Sequence, residues 1–267
     1  MPAADLSLLI EAAERAGDIA LKYSGPEAKR WDKPDGAGPV TEADLAVNAM
    51  LEEFLPAARP GYGWLSEETE DSAARQDRRC TFIIDPIDGT RSFAEGARTW
   101  AHSFAVADKG EVTAAVVYLP QRDLMYTAAK GQGAKLNGQP VHVSDRAALD
   151  GAEVLAAKPN LMGVHWRAGK APGFKRSHRP SLAYRMAAVA QSKFDAMLTL
   201  RASWEWDIAA GDLIIREAGG FCTDRAGTAL KFNNPHPQLN GVVAGGPALH
   251  RALMAALNPQ SPGLPNH

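Results

Sequence analysis

Leu6, Leu9, Ile10, Ala13, Gly17, Ala20 and Leu21 recur at helical spacing, so the opening segment MPAADLSLLIEAAERAGDIA is predicted to be a helix with one face on a core. Turn residues then divide the chain at WDKPDGAGP, just before Val40. Thr41 and Asp44 have the spacing of a capping box, and Val47, Met50, Leu51 and Phe54 mark the buried side of a second helix that should stop around Pro56. From Cys80 the pattern changes to short apolar runs, TFIID, SFAVAD, VTAAVVYL and LMYTAA, separated by DKGE and PQRD. This is the signature of an antiparallel meander. AAKGQGAKLNGQPV continues it, with Asn137 and Gly138 supplying a tight turn, and the sheet should end near Val143.

After the connection from Asp145 to Gly151, the order becomes strand (VLAAKP), helix (SLAYRMAAVAQSKF), strand (AMLTL), helix (DIAAGDLIIREA), strand (GVVAGG) and helix (PALHRALMAAL). Such alternation argues a layered α/β half. The expected division is therefore an α+β part over 1–144 and an α/β part over 145–267. Gly219 and Gly220 are placed to end the helix of Asp207 to Ala218, and the last ten residues, NPQSPGLPNH, should fray.

With 45% hydrophobic and 22% charged residues among 267, the chain has the make-up of a folded protein and not of a disordered one. A formal net charge of −2 supplies no field that would attract a nucleic acid polymer or an acidic membrane, so a ligand must be recognised by a local site. Cys80 and Cys222 are too few for a disulfide framework or a structural zinc site and fit a reducing, cytoplasmic setting. The N-terminus carries acids from Asp5 onward and lacks the apolar run of a signal peptide or an integral membrane span.

The candidate chemistry lies in carboxylates. DPIDGT follows the apolar TFII directly, so Asp85 and Asp88 stand where Pro86 should stop a strand. Both carboxylates and the Ile87 carbonyl are hard oxygen donors suited to Mg²⁺, and the amides of Gly89 and Thr90 suit phosphate if a helix begins there. An Asp-rich turn without a ligand is the plainer reading of such a motif taken alone. It is not alone, because WLSEETED places Glu67 and Glu68 just upstream and SWEWDIAAG places Asp207 at a helix start, each beside apolar residues. Carboxylates gathered in such surroundings repel one another unless a cation binds. Taken locally, Asp44 is explained as well by closing the capping box as by catalysis, and the other carboxylate motifs favour catalysis. His102, His142, His165 and His178 lack metal-ligand spacing and are expected to be structural.

These residues resemble the inositol monophosphatase superfamily of Mg²⁺-dependent, lithium-sensitive phosphatases. FIIDPIDGTRSF corresponds to its first signature, WDIAAGDLIIREAGG to its second, and PVTEADLAVN and LSEE to its upstream elements, in order, from the first helix to about Leu257. The resemblance implies a five-layer α/β/α/β/α sandwich of the inositol monophosphatase and fructose-1,6-bisphosphatase type, often a homodimer. It also implies that Glu67, Asp85, Asp88, Asp207 and the Ile87 carbonyl hold two or three Mg²⁺ ions, and that Gly89 and Thr90 hold phosphate, with Asp88 and Asp207 also at the substrate. Asp44, paired with the Thr90 hydroxyl, would help Glu67 and the metal orient a water, and Lys33 would approach the site.

Within that resemblance the substrate is a small phosphate ester. Members that act on inositol usually carry Glu seven residues before the second-signature Asp, a position held here by Leu200. SEE, Arg91 after DPIDGT, and EWDIAAG are similar to bacterial 3′(2′),5′-bisphosphate nucleotidases, so 3′-phosphoadenosine 5′-phosphate is the expected substrate. Inositol 1-phosphate is the alternative, ahead of histidinol phosphate, fructose 1,6-bisphosphate, or a non-catalytic RNA-associated regulator. The loop HWRAGKAPGFKRSHR gathers Arg167, Lys170, Lys175, Arg176 and Arg179, and either holds a second phosphate, with Arg176 foremost, or is a solvated basic loop. Arg201 and Trp204 are candidates for the second phosphate and the adenine, with packing an equal role for Trp204.

Overall fold

The computed structural model describes residues 2–23, 29–33 and 38–258. Two helices open the fold: α1 (Pro2–Tyr23) and, after the short hairpin of β1 (Arg30–Asp32) and β2 (Pro39–Thr41), α2 (Glu42–Ala58). The predicted capping box is present, with Thr41 and Asp44 bonded reciprocally, and Pro56 lies inside the last turn of α2, whose end is at Ala58. Small residues Ala12, Ala13, Ala16, Gly17 and Ala20 carry the buried stripe of α1, which leaves Leu21 at its margin, 42% exposed.

A seven-stranded sheet follows in chain order: β3 (Gly63–Ser66), β4 (Cys80–Asp88), β5 (Ala101–Asp108), β6 (Glu111–Leu119), β7 (Leu124–Ala129), β8 (Ala134–Leu136) and β9 (Gln139–Val141). The five-residue α3 (Thr90–Ala94) interrupts it after β4. All neighbours are antiparallel except β3 and β4. Asn137 and Gly138 take positive φ, 47° and 80°, as the turn between β8 and β9 requires.

Contrary to the sequence expectation, β4 does not stop at Pro86. Pairing with β3 ends at Ile84, and the ladder to β5 shifts between Asp85 and Asp88, so the missing proline N–H falls in a bulge where no partner needs it.

The second half of the chain builds a five-stranded sheet from β10 (Glu153–Ala156), β11 (Lys175–Ser177), β12 (Ala196–Thr199), β14 (Phe221–Thr223) and β16 (Val242–Gly245), in the order β11-β10-β12-β16-β14. Its helices are α4 (Leu182–Ala190), α5 (Glu205–Glu217) and α6 (Pro247–Ala256). A two-stranded ribbon, β13 (Ser203–Trp204) with β15 (Gln238–Leu239), precedes and follows α5. α5 ends as expected, with Gly219 in the left-handed region at φ 85°. The short β11, β13, β14 and β15 carry too few alternating positions to stand out in the sequence. Of the expected fraying over 258–267, Asn258 is held, its amide donating to the His165 carbonyl at 2.8 Å, and 259–267 lie outside the described residues, as does 34–37 of the predicted turn.

Three hydrophobic clusters separate five layers. On the large sheet Phe82, Ile84, Phe104 and Val106 meet α1 and α2, while Ile83, Ala105, Ala115 and Val117 meet α4 and α5. On the small sheet Leu155, Met197 and Ala244 face those same two helices, and Val154, Leu198 and Val243 face α6. Strands covered on both faces read as unbroken apolar runs, which is why TFII and VVYL look as they do. The expected α/β/α/β/α sandwich is thus observed. Among the described residues no helix is long and apolar enough to cross a membrane.

Candidate active site

The end of β4 and the start of α5 bring three carboxylates together. Asp85, Asp88 and Asp207 each offer an oxygen, all within 4.8 Å of one another. Asp88 is anchored, its Oδ2 accepting from Ser181 Oγ at 2.7 Å and the Ala183 amide at 2.6 Å at the start of α4. Asp85 differs: both carboxylate oxygens are buried and accept no hydrogen bond. A bare buried anion costs several kcal/mol unless it is neutralised. A hard-oxygen cluster with one buried carboxylate left without a donor fits a divalent cation such as Mg²⁺.

The electrostatics carry the same signature. Burial, then Glu67, Asp88 and Asp207, raise the Asp85 carboxyl well above its ordinary range. Burial and then Asp88 and Glu67 do the same to Asp207, against Arg201 and Arg185. Burial pushes Asp88 up to about 6 despite the hydrogen bonds from Ser181 and Ala183. Asp44 is also pushed up to about 6 by burial, against two hydrogen bonds from Thr41.

Asp44 closes the cap and also reaches the Thr90 side chain. Its Oδ2 accepts from the Thr41 amide at 2.8 Å, completing the cap, while Oδ1 accepts from Thr90 Oγ1 at 3.1 Å. Thr90 also lies 3.0 Å from the Ile87 carbonyl, and Gly89 begins α3 in the left-handed conformation, φ 95°. Beneath this turn the His102 ring contacts the Pro86 carbonyl and packs among Trp100, Phe104 and Tyr118. It is a structural histidine, with burial lowering it to about 4.

Glu67 lines the same cleft, outside the tight trio, and pairs with Lys33 Nζ at 3.0 Å. Lys33 also holds Glu68 at 2.7 Å, and burial with the neighbouring Glu67 pushes Glu68 up to about 7. The cleft has a volume of about 190 Å³, and Gly89, Thr90, Arg91 and Arg201 also face it.

None of the loop's basic side chains from Arg167 to Arg179 lines the cleft. Arg176 does not line the cleft: it stands on the edge strand β11 and donates to the Ala156 carbonyl at 3.1 Å. Arg179 lies 5.2 Å over the Phe194 ring. The loop acts instead through its backbone and His178, for the Arg179 carbonyl and His178 Nε2 accept from Arg185. Arg185, one turn into α4, faces the cleft opposite Asp88 and Asp207, and burial lowers it only to about 10, so it stays charged near neutrality. Sequence reading missed it because a lone Arg in SLAYRMAAVA looks like a solvated position; the signal was its place among otherwise apolar residues. Leu200 is 1% exposed and packs in the cluster under α6.

A layered α/β sandwich with a cleft of clustered hard-oxygen donors has the donor set of a divalent-metal enzyme. The chain belongs to the inositol monophosphatase family, whose family model matches residues 3–261, and it is accordingly a phosphoric monoester hydrolase. It is 33% identical over 263 residues to the inositol-1-monophosphatase of Rhizobium meliloti (strain 1021), covering 93% of this chain and 94% of that one. It is 31% identical to the Nus factor SuhB of Escherichia coli (strain K12), with 94% of each chain covered. Among solved structures, the extragenic suppressor protein suhB of Bartonella henselae superposes with a TM-score of 0.78 at 30% identity, over 94% of this chain and 97% of that chain. The family is in general Mg²⁺-dependent.

Proposed function

We propose that this phosphatase hydrolyses 3′-phosphoadenosine 5′-phosphate to AMP and phosphate, with Mg²⁺ held by Glu67, Asp85, Asp88, Asp207 and the Ile87 carbonyl. The observation that carries the substrate reading is two of the arginines at the cleft, Arg185 and Arg201, set against Leu200 buried in the core. A monophosphate needs one anion site, whereas a bisphosphate needs two, and guanidinium groups suit the second. An apolar residue that faces the core offers no acceptor to sugar hydroxyls.

Held by those carboxylates, Mg²⁺ would supply neutralisation of the ester oxygens and a lowered pKa for a bound water. The chain does the rest by positioning. Amides of Gly89 and Thr90 orient the phosphate that is cleaved. The Thr90 hydroxyl, bonded to Asp44, directs the water, and Asp44, with its carboxyl near 6, takes up the proton. Arg185 and Arg201 hold the remaining phosphate. On this reading the halves 1–144 and 145–267 meet at the cleft, Asp85 and Asp88 coming from one and Asp207 from the other.

The names of the relatives support a second reading, hydrolysis of inositol 1-phosphate. A side-by-side measurement of kcat/KM with Mg²⁺ for both esters, fructose 1,6-bisphosphate and histidinol phosphate decides. Preference for the nucleotide is expected. A tenfold preference for inositol 1-phosphate, about 1.4 kcal/mol in the transition state, overturns the reading of Leu200.

A further inference from the structure

Glu67 borders a second concavity besides the acidic cleft. Its other side is a groove of about 310 Å³, walled by Thr69, Trp204, Trp206, Pro235, His236 and Pro237. The indoles of Trp204 and Trp206 are stacked, with ring centroids 4.7 Å apart and planes 9° apart, and the His236 ring leans on Trp204 at 5.7 Å. Trp204 is 37% exposed. Part of its ring surface remains in water beside the charged cleft and offers apolar area to a ligand.

The groove is rigidly built. Ser103 Oγ donates to the Trp206 carbonyl at 2.8 Å, and Trp204 pairs with Gln238 in the ribbon of β13 and β15. Glu205, fully buried between the two tryptophans in sequence, accepts from the amides of Asn233 (2.5 Å) and Asn234 (2.9 Å) and from Asn234 Nδ2 (2.7 Å). From the other side Arg75, also buried, donates to Asn233 Oδ1 and the Asn234 carbonyl while pairing with Asp71. Two buried charged groups therefore clamp the loop that carries Pro235, His236 and Pro237. Trp204 is three residues from Arg201, which faces the cleft.

We propose that this groove is a subsite for a flat heteroaromatic ring, the base of the nucleotide whose phosphate occupies the cleft, with Trp204 as the stacking surface. The inference rests on the nucleotide reading above and deepens it, setting the adenine candidate Trp204 in a defined groove with Trp206 and His236. Stacking on an exposed indole tolerates any base, so discrimination should be between ring-bearing and ring-free phosphates and not among bases.

The test compares binding of AMP and ribose 5-phosphate, with Mg²⁺, by titration calorimetry on the wild-type protein, Trp204→Ala and Trp204→Phe. Wild type should bind AMP about tenfold tighter than ribose 5-phosphate, since one stacked base contributes on the order of a kcal/mol or more. Trp204→Ala should erase that advantage while leaving ribose 5-phosphate affinity unchanged, and Trp204→Phe should restore most of it. An equal affinity of wild type for the two ligands, no binding of either, or an advantage that survives Trp204→Ala overturns the proposal. Failure of the nucleotide reading shows separately, as inability of the wild-type enzyme to release phosphate from 3′-phosphoadenosine 5′-phosphate.

Discussion

Asp85 is the residue on which the site's electrostatics converge. Both its oxygens are buried without a donor, and its neighbours are carboxylates. Asp85→Asn removes one buried charge from that cluster, so it should raise the melting temperature of the cation-free protein while lowering Mg²⁺-dependent kcat by at least about a hundredfold. A lowered melting temperature in EDTA would contradict the picture of an uncompensated anion. Thr90→Ala acts elsewhere: Mg²⁺ affinity by calorimetry should hold, and kcat should fall by roughly 10²–10⁴ as the route to Asp44 is lost. Much at this scale was legible. DPIDGT and WDIAAG bring their carboxylates together as the sequence leads one to expect, because a strand end and a helix start fix side-chain direction locally. Arg185 and the Glu205–Arg75 clamp were not, since their meaning comes from partners far along the chain.

At the scale of elements, α4 and α5 are the pair that sets the site. α4 supplies the donors to Asp88 and α5 carries Asp207, so their mutual distance controls the cluster. They approach closely at Gly211, where an added Cβ would lie 2.5 Å from Met186 Cβ and 2.7 Å from its Sδ. Gly211→Ala should force the helices apart, destabilising the protein by about 1–3 kcal/mol in urea unfolding and reducing turnover with it. Unchanged stability would mean that α4 is free to shift. The long elements were readable from periodicity, including the capped start of α2. The continuation of β4 past Pro86 was not, because proline forbids a strand only where its N–H is required, and that depends on where β3 ends.

Across the whole molecule the acidic cleft links pH, cation and stability. Asp44 and Asp88 have an ordinary value of 3.8 and titrate near 6 in the fold, so the folded state holds more protons than the unfolded one between those values. Stability of the cation-free protein should therefore fall as pH rises through that window, the sign opposite to that of a salt-bridged acid. Mg²⁺ should restore it, adding about 2.7 kcal/mol at a hundredfold excess over its Kd, and its effect on the melting temperature should be larger at pH 8 than at pH 5. An equal Mg²⁺ effect at both pH values would argue that the cation binds elsewhere.

Phosphate release from 3′-phosphoadenosine 5′-phosphate, followed across a Mg²⁺ titration for wild type and Asp85→Asn together, bears most directly on the assignment of this cleft. Wild type should be inactive in EDTA and saturate with Mg²⁺, while Asp85→Asn should stay near the EDTA baseline throughout. Turnover by wild type without a divalent cation, or near wild-type turnover by Asp85→Asn, would contradict it.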